Sequence, residues 1–95
     1  MTDELQEKVN RYRQLTNEAL NKVEIIVPEG TKEFQIAADF LSMAKNYFSD
    51  AGYFEKKGDL INALAAYSYA HAWLDAGVRA KVFDGKYDDR LFTLP

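Results

Sequence analysis

The chain contains a single histidine, and the residues around it are the ones whose types and spacing could do chemistry. His71 and Asp75 lie four residues apart, so a helix would place them side by side. Arg79 follows Asp75 at the same spacing, and Asp50 belongs to the preceding predicted helix. A histidine near carboxylates can hold a metal ion or a cationic ligand. We call Asp50, His71, Asp75 and Arg79 the polar set, the candidate site for metal or small-molecule binding.

Several features of the sequence argue against metal binding or catalysis by the polar set. A metal site needs three or four ligands, and the residues expected opposite His71 are Ser42 and Asn46, which bind metals weakly. The simpler interpretation is that His71 bonds Asp75 or a backbone carbonyl, while the carboxylates bond tyrosine hydroxyls or Arg79. The chain also lacks cysteine, a glycine-rich phosphate loop and a nucleophile–base pair. We therefore predict binding rather than catalysis, with no metal and no cofactor.

Three amphipathic helices are predicted to position these residues, at about 3–26, 32–57 and 60–82. Each has apolar residues at intervals of three and four, which places them on one side of a helix. The apolar segment 24–28 could form a strand, but a single strand has no partner, so we interpret it as a helix end and loop. The sequence predicts an all-α fold, a three-helix antiparallel bundle with a short C-terminal tail, in one domain spanning 1–95.

Helix boundaries are indicated by capping residues. Thr2 or Asp3 can accept a hydrogen bond from the free backbone N–H groups of the first helix, and Thr31 can do so for the second. Gly58 can end the second helix in the left-handed conformation, and Asp59 can cap the third. A connection this short makes the second and third helices antiparallel neighbours.

The third helix is apolar on nearly all sides, which predicts cover on more than one side. The first two helices can cover its main face. Its opposite face is the predicted interaction face, made of small and aromatic residues: Ala65, Tyr69, Ala72, Trp73 and Ala76. It could be covered by the tail 83–95 or by a second protein molecule, or stay exposed. The tail has four residues that could pack back on the bundle: Tyr87, Leu91, Phe92 and Leu94.

Composition narrows the classes of partner. The 95 residues are 47% hydrophobic and 28% charged, as in a globular domain, with a formal net charge of −3. A nucleic-acid-binding protein would be expected to carry a clustered basic face. No apolar run approaches the roughly 18 residues of a membrane span, and the first residues are acidic where a signal peptide is basic. We expect a cytoplasmic protein that binds neither nucleic acid nor membrane.

Three segments carry a resemblance to a known family. They are MAKNYFSDAGYF at 43–54, the GD at 58–59 and YAHAWLDAGVR at 69–79. In these the chain resembles the archaeal domain of unknown function 357. The resemblance implies a compact three-helix bundle in an archaeal, cytoplasmic protein, and it implies no activity. Relatives that carry this domain beside a nucleotidyltransferase-like domain point to an accessory or scaffold role.

Together these observations predict a protein–protein interaction or scaffold module without catalytic activity. Its partner would be another protein or a second copy of the chain, bound through the predicted interaction face. The alternative is a small-molecule or metal-binding protein that uses the region of His71, Asp75 and Asp50.

Overall fold

The structure is a computed structural model that describes residues 3–95. Its elements, in chain order, are α1 (Glu4–Lys22), β1 (Glu24–Ile25), α2 (Lys32–Lys56), α3 (Leu60–Arg79) and β2 (Phe83–Asp84). The predicted all-α, three-helix fold is confirmed. The molecule is elongated, with principal extents of 50 × 23 × 16 Å. Within residues 3–95, no helix has both the length and the apolar character needed to cross a membrane.

The first helix is shorter than predicted. Asp3 caps it by accepting a 2.9 Å hydrogen bond from the backbone N–H of Leu5; the other predicted cap, Thr2, lies outside the described residues. The helix ends at Lys22 rather than at Ile26, because Val23 adopts an extended conformation. The β-branched residues that follow favour extended backbone, and they override the continuing helical spacing.

The segment after α1 forms a strand, which corrects the prediction of a helix end and loop. β1 pairs antiparallel with β2, with Glu24 opposite Asp84 and Ile25 opposite Phe83. The backbone N–H of Ile26 adds a 3.0 Å bond to the carbonyl of Val82. The missing partner therefore comes from the chain beyond α3, and this two-stranded ribbon joins the α1–α2 connection to the segment that follows α3.

α3 also ends earlier than predicted, at Arg79 instead of Val82. Lys81 takes a left-handed conformation with φ of 64°, and the backbone N–H of Val82 donates to the carbonyl of Gly77 at 3.1 Å. These features close a helix in the same way as the usual glycine cap. The early stop turns the chain so that β2 can meet β1.

The α2–α3 hairpin forms as its turn residues predict. Gly58 has φ of 77°, and the Asp59 carboxylate accepts a 3.2 Å bond from the N–H of Asn62. At the other end of α2, Thr31 accepts a 3.1 Å bond from the N–H of Phe34. The two helices meet through small side chains, all buried, which let the backbones approach closely: Ala37, Ala44, Ala51, Ala63, Ala66 and Ala70.

α1 lies on one side of this hairpin and packs mainly on α3. Its contact residues Val9, Thr16 and Ala19 are fully buried. The tail packs beside them, where Leu91 and Phe92 are 3% exposed. The core is therefore closed on the α1 side by α1 and the tail.

Candidate functional site

The predicted interaction face lies open on the surface of α3. Tyr69 is 59% exposed, and Ala65, Ala72 and Ala76 are also exposed, while Trp73 is half-buried. We call these five residues the α3 face. The tail packs along a different side of α3.

Two aromatic contacts hold the large side chains of the α3 face in place. The Tyr69 ring lies 5.4 Å from that of Tyr47, and the Trp73 ring meets Phe40 edge-on at 5.1 Å. Such pairs add about 0.5–1.5 kcal/mol beyond the area that they bury. The aromatic residues of the face are therefore preorganised by α2.

Charge is absent from the centre of this surface. No exposed residue of α3 from Ile61 to Ala76 is charged, and Ile61 itself is 72% exposed. The two charged residues of the helix, Asp75 and Arg79, both bond to the tail. The exposed side of α3 is thus apolar or neutral over four helical turns, which is unusual for a helix side in contact with water alone.

Within the polar set, His71 is bonded through both ring nitrogens. Nε2 lies against the backbone carbonyl of Leu91, and Nδ1 lies 3.1 Å from Oγ1 of the buried Thr16. Because a carbonyl can only accept, Nε2 donates to Leu91, while Nδ1 and the Thr16 hydroxyl share a second hydrogen bond. His71 therefore joins α1, α3 and the tail.

Asp75 and Arg79 continue the same row of tail contacts. The Asp75 carboxylate accepts a 2.9 Å bond from the backbone N–H of Thr93, and Arg79 donates to the carbonyl of Leu94 at 2.8 Å. A cleft of about 210 Å³ beside them is lined by His71 and Asp75 but by neither Asp50 nor Arg79. Asp50 is exposed on α2 and lies outside this row. Among residues 3–95, no three metal-ligating side chains converge.

Asp88 fixes the middle of the tail. Its carboxylate accepts bonds from the backbone N–H groups of Arg90 and Leu91, both at 3.1 Å, and from Nζ of Lys22 at 2.8 Å. The bond from Lys22, helped by the two backbone donors, holds the pKa of the Asp88 carboxyl below its usual value. These contacts position the tail along His71 and Asp75.

One of the four apolar tail residues does not pack back as predicted. Leu91 and Phe92 are buried and Leu94 is half-buried, but Tyr87 is 94% exposed. Tyr87 sits at the corner of a tight turn, closed by a 3.1 Å bond from the N–H of Asp88 to the carbonyl of Gly85. Its positive φ of 58° is typical of such a turn, which directs the corner side chain outward.

A partly buried polar network that the sequence did not indicate links Tyr67, Glu55 and Arg13. The Tyr67 hydroxyl donates a 2.8 Å bond to Glu55, and Glu55 also pairs with Arg13. Burial, together with the neighbouring Glu55 carboxylate, raises the pKa of Tyr67 to about 12. No sequence signal could have found it, since Arg13 and Glu55 lie on different helices. The network joins all three helices, and Tyr67 lies one helical turn before His71, which bonds the tail.

Comparison with known proteins gives one match. Residues 11–83 match the model of a family described as a protein of unknown function, DUF357. The chain belongs to this family. The matched region runs from within α1 to the first residue of β2, so it contains the whole α2–α3 hairpin and the α3 face. Searches of curated proteins and of solved structures found no match.

Proposed function

We propose that this DUF357 chain is a protein-interaction module that binds through the α3 face. The observation that carries the proposal is the exposure of Tyr69 on a neutral, alanine-rich helix side. Exposed apolar patches on small proteins commonly mark binding sites. The other helix surfaces described here are covered by neighbouring elements or carry charged and amide residues.

The physical properties of the α3 face suit association with another protein. Tyr and Trp supply a large contact area at a low cost in side-chain entropy, and they are enriched at the centres of interfaces. The alanines would let a partner helix or sheet approach closely. Covering this surface would bury no unpaired charge, so the desolvation cost would be small.

The alternative metal or small-molecule site is not carried forward as a second function. His71, Asp75 and Arg79 are all engaged in bonds to the tail or to α1, and Asp50 lies apart from them. The contacts of these residues explain their presence without a ligand.

The proposal can be tested without knowing the partner. A photo-crosslinking amino acid is placed at Ala72 of the chain while it is expressed in its native cells. On irradiation it should form covalent adducts with the bound protein. The same group at Ser49, exposed on α2 away from the α3 face, is the matched control. We expect defined protein adducts from position 72 and few from position 49. No adducts from either position, or equal adducts from both, would contradict the proposal.

A further inference from the structure

We infer that the partner is a second copy of this chain, with α3 packed antiparallel on the α3 of that copy. The two-fold axis would pass beside the helix at the level between residues 70 and 71. This inference rests on the proposed function, since it names the occupant of the same α3 face. It is argued from side-chain size, charge and area.

Side-chain sizes along the exposed side of α3 are unevenly distributed. Six exposed positions follow one another at intervals of four, four, three, four and four residues, which tracks one side of a straight helix. These positions are Ile61, Ala65, Tyr69, Ala72, Ala76 and Ala80. Of these six positions, the two large residues, Ile61 and Tyr69, come before the midpoint, and the three after it are alanines. The half-buried Trp73 and the exposed Arg79 also lie in the second half of the helix.

An antiparallel pairing brings large residues against small ones. Tyr69 would lie beside the partner subunit's Ala72, and Ile61 beside the partner subunit's Ala80. Ala65 would lie beside the partner subunit's Ala76. A parallel pairing would instead set Ile61 and Tyr69 on their own counterparts and alanine on alanine, at a cost in packing. In the antiparallel pairing the two copies of Tyr69 also lie near each other, about 4.5 Å apart along the helix. Antiparallel helix dipoles also attract each other.

The charge pattern favours a second copy over a different protein. Charged surfaces that select a different partner usually meet a complementary charge across the interface. The exposed side of α3 offers none from Ile61 to Ala76. The α3 part of the interface would therefore meet its own copy without charge repulsion, and isologous two-fold dimers are the commonest oligomers.

The available area is sufficient for a reversible dimer. The 20 residues of α3 rise about 30 Å, and two adjacent helices are about 20 Å wide. α3 and the adjoining exposed side of α2 together offer roughly 600 Å² per chain, or roughly 1,200 Å² in total, which is at the lower limit for specific interfaces. About half of this area belongs to α2, whose exposed residues include Asp39, Lys45 and Asp50. We expect a dimer that dissociates on dilution.

Disulfide crosslinking tests the pairing directly, because the chain contains no cysteine of its own. Two single variants, Ala65→Cys and Ala76→Cys, would be made with tags of different mass. Each variant would be oxidised alone, and a mixture of the two would be oxidised in parallel. The inferred geometry places residue 65 of one chain opposite residue 76 of the other. A disulfide needs Cα atoms within about 7 Å, whereas the two copies of residue 65 would be about 16 Å apart along the helix.

We expect a mixed dimer from the mixture, at least tenfold more abundant than either self-crosslinked dimer. Self-crosslinked dimers from each single variant would indicate a parallel pairing and overturn the inference. No crosslinking, together with a wild-type mass of 10.9 kDa at every concentration by light scattering, would also overturn it. In that case, adducts between position 72 and other proteins in the photo-crosslinking experiment would leave the proposed function standing. If position 72 forms no adducts at all, both the inferred dimer and the proposed function are wrong.

Discussion

Substituting Gly77 by Ala should destabilise the fold, although alanine is the better helix former. Gly77 lies inside α3, where replacing glycine normally gains about 1 kcal/mol. Here an added Cβ would lie 2.0 Å from Cδ2 of Phe83 and 2.9 Å from its Cγ. These distances are far below van der Waals contact, and Phe83 is 2% exposed. The ring and β2 would therefore have to move.

The size of this effect can be bounded. Local repacking around an added methyl group costs about 1–3 kcal/mol. Expelling the Phe83 ring from the core would cost about 3–5 kcal/mol, as in a Phe→Ala substitution. After subtracting the helix-propensity gain of about 1 kcal/mol, Gly77→Ala should lower the free energy of unfolding by about 0–4 kcal/mol. The value depends on how far the β1–β2 ribbon shifts.

Urea unfolding followed by circular dichroism would measure this in a double-mutant cycle. The chains compared are wild type, Gly77→Ala, Phe83→Ala and the double variant. With the ring absent, the three atoms nearest the new Cβ are removed, so Gly77→Ala should become stabilising by up to about 1 kcal/mol. If Gly77→Ala stabilises the wild type, or has the same effect in both backgrounds, the steric account is wrong.

Two further predictions concern titratable groups. Because folding raises the pKa of Tyr67 to about 12, its stabilising contribution is complete below pH 10 and is lost as the pH rises from 10 toward 12. Unfolding at high pH should show a loss of about 2–3 kcal/mol for wild type relative to Tyr67→Phe; parallel curves would contradict this. The lowered pKa of Asp88 implies tail stabilisation that is present above pH 3.8 and lost below it. Hydrogen exchange of the 90–94 amides should show this in wild type and not in Asp88→Asn; the same pH dependence in both would contradict it.

Local signals in the sequence were enough to predict the helices and the hairpin turn. Gly58 and Asp59 act within a few residues, so their effect can be predicted from their types alone. The apolar spacing of α2 and α3 likewise predicts which sides are buried. The side of α3 with Tyr69 and Trp73 was predicted to need cover, by the tail or by a second molecule, but the tail bonds to His71, Asp75 and Arg79 instead.

Features that depend on distant segments could not be predicted in this way. β1 forms because β2 is brought beside it by the early end of α3, and neither two-residue strand has a signal of its own. The packing of the Phe83 ring over Gly77 likewise depends on the early end of α3, which brings residue 83 back against the helix. Within the polar set, the spacing of His71 and Asp75 correctly placed them on one side of a helix. It could not show that their partners are backbone groups of the tail.

The solution mass of the purified chain, measured by light scattering across a dilution series, tests the central claim most directly. The proposed face predicts a mass approaching twice 10.9 kDa at high concentration, which falls toward the single-chain value on dilution. Placing a charge beside the two-fold axis with Ala72→Arg should keep the mass at the single-chain value, whereas Ser49→Arg should behave as wild type. A wild-type chain that stays monomeric throughout, or a dimer unaffected by Ala72→Arg, would contradict self-association through the α3 face.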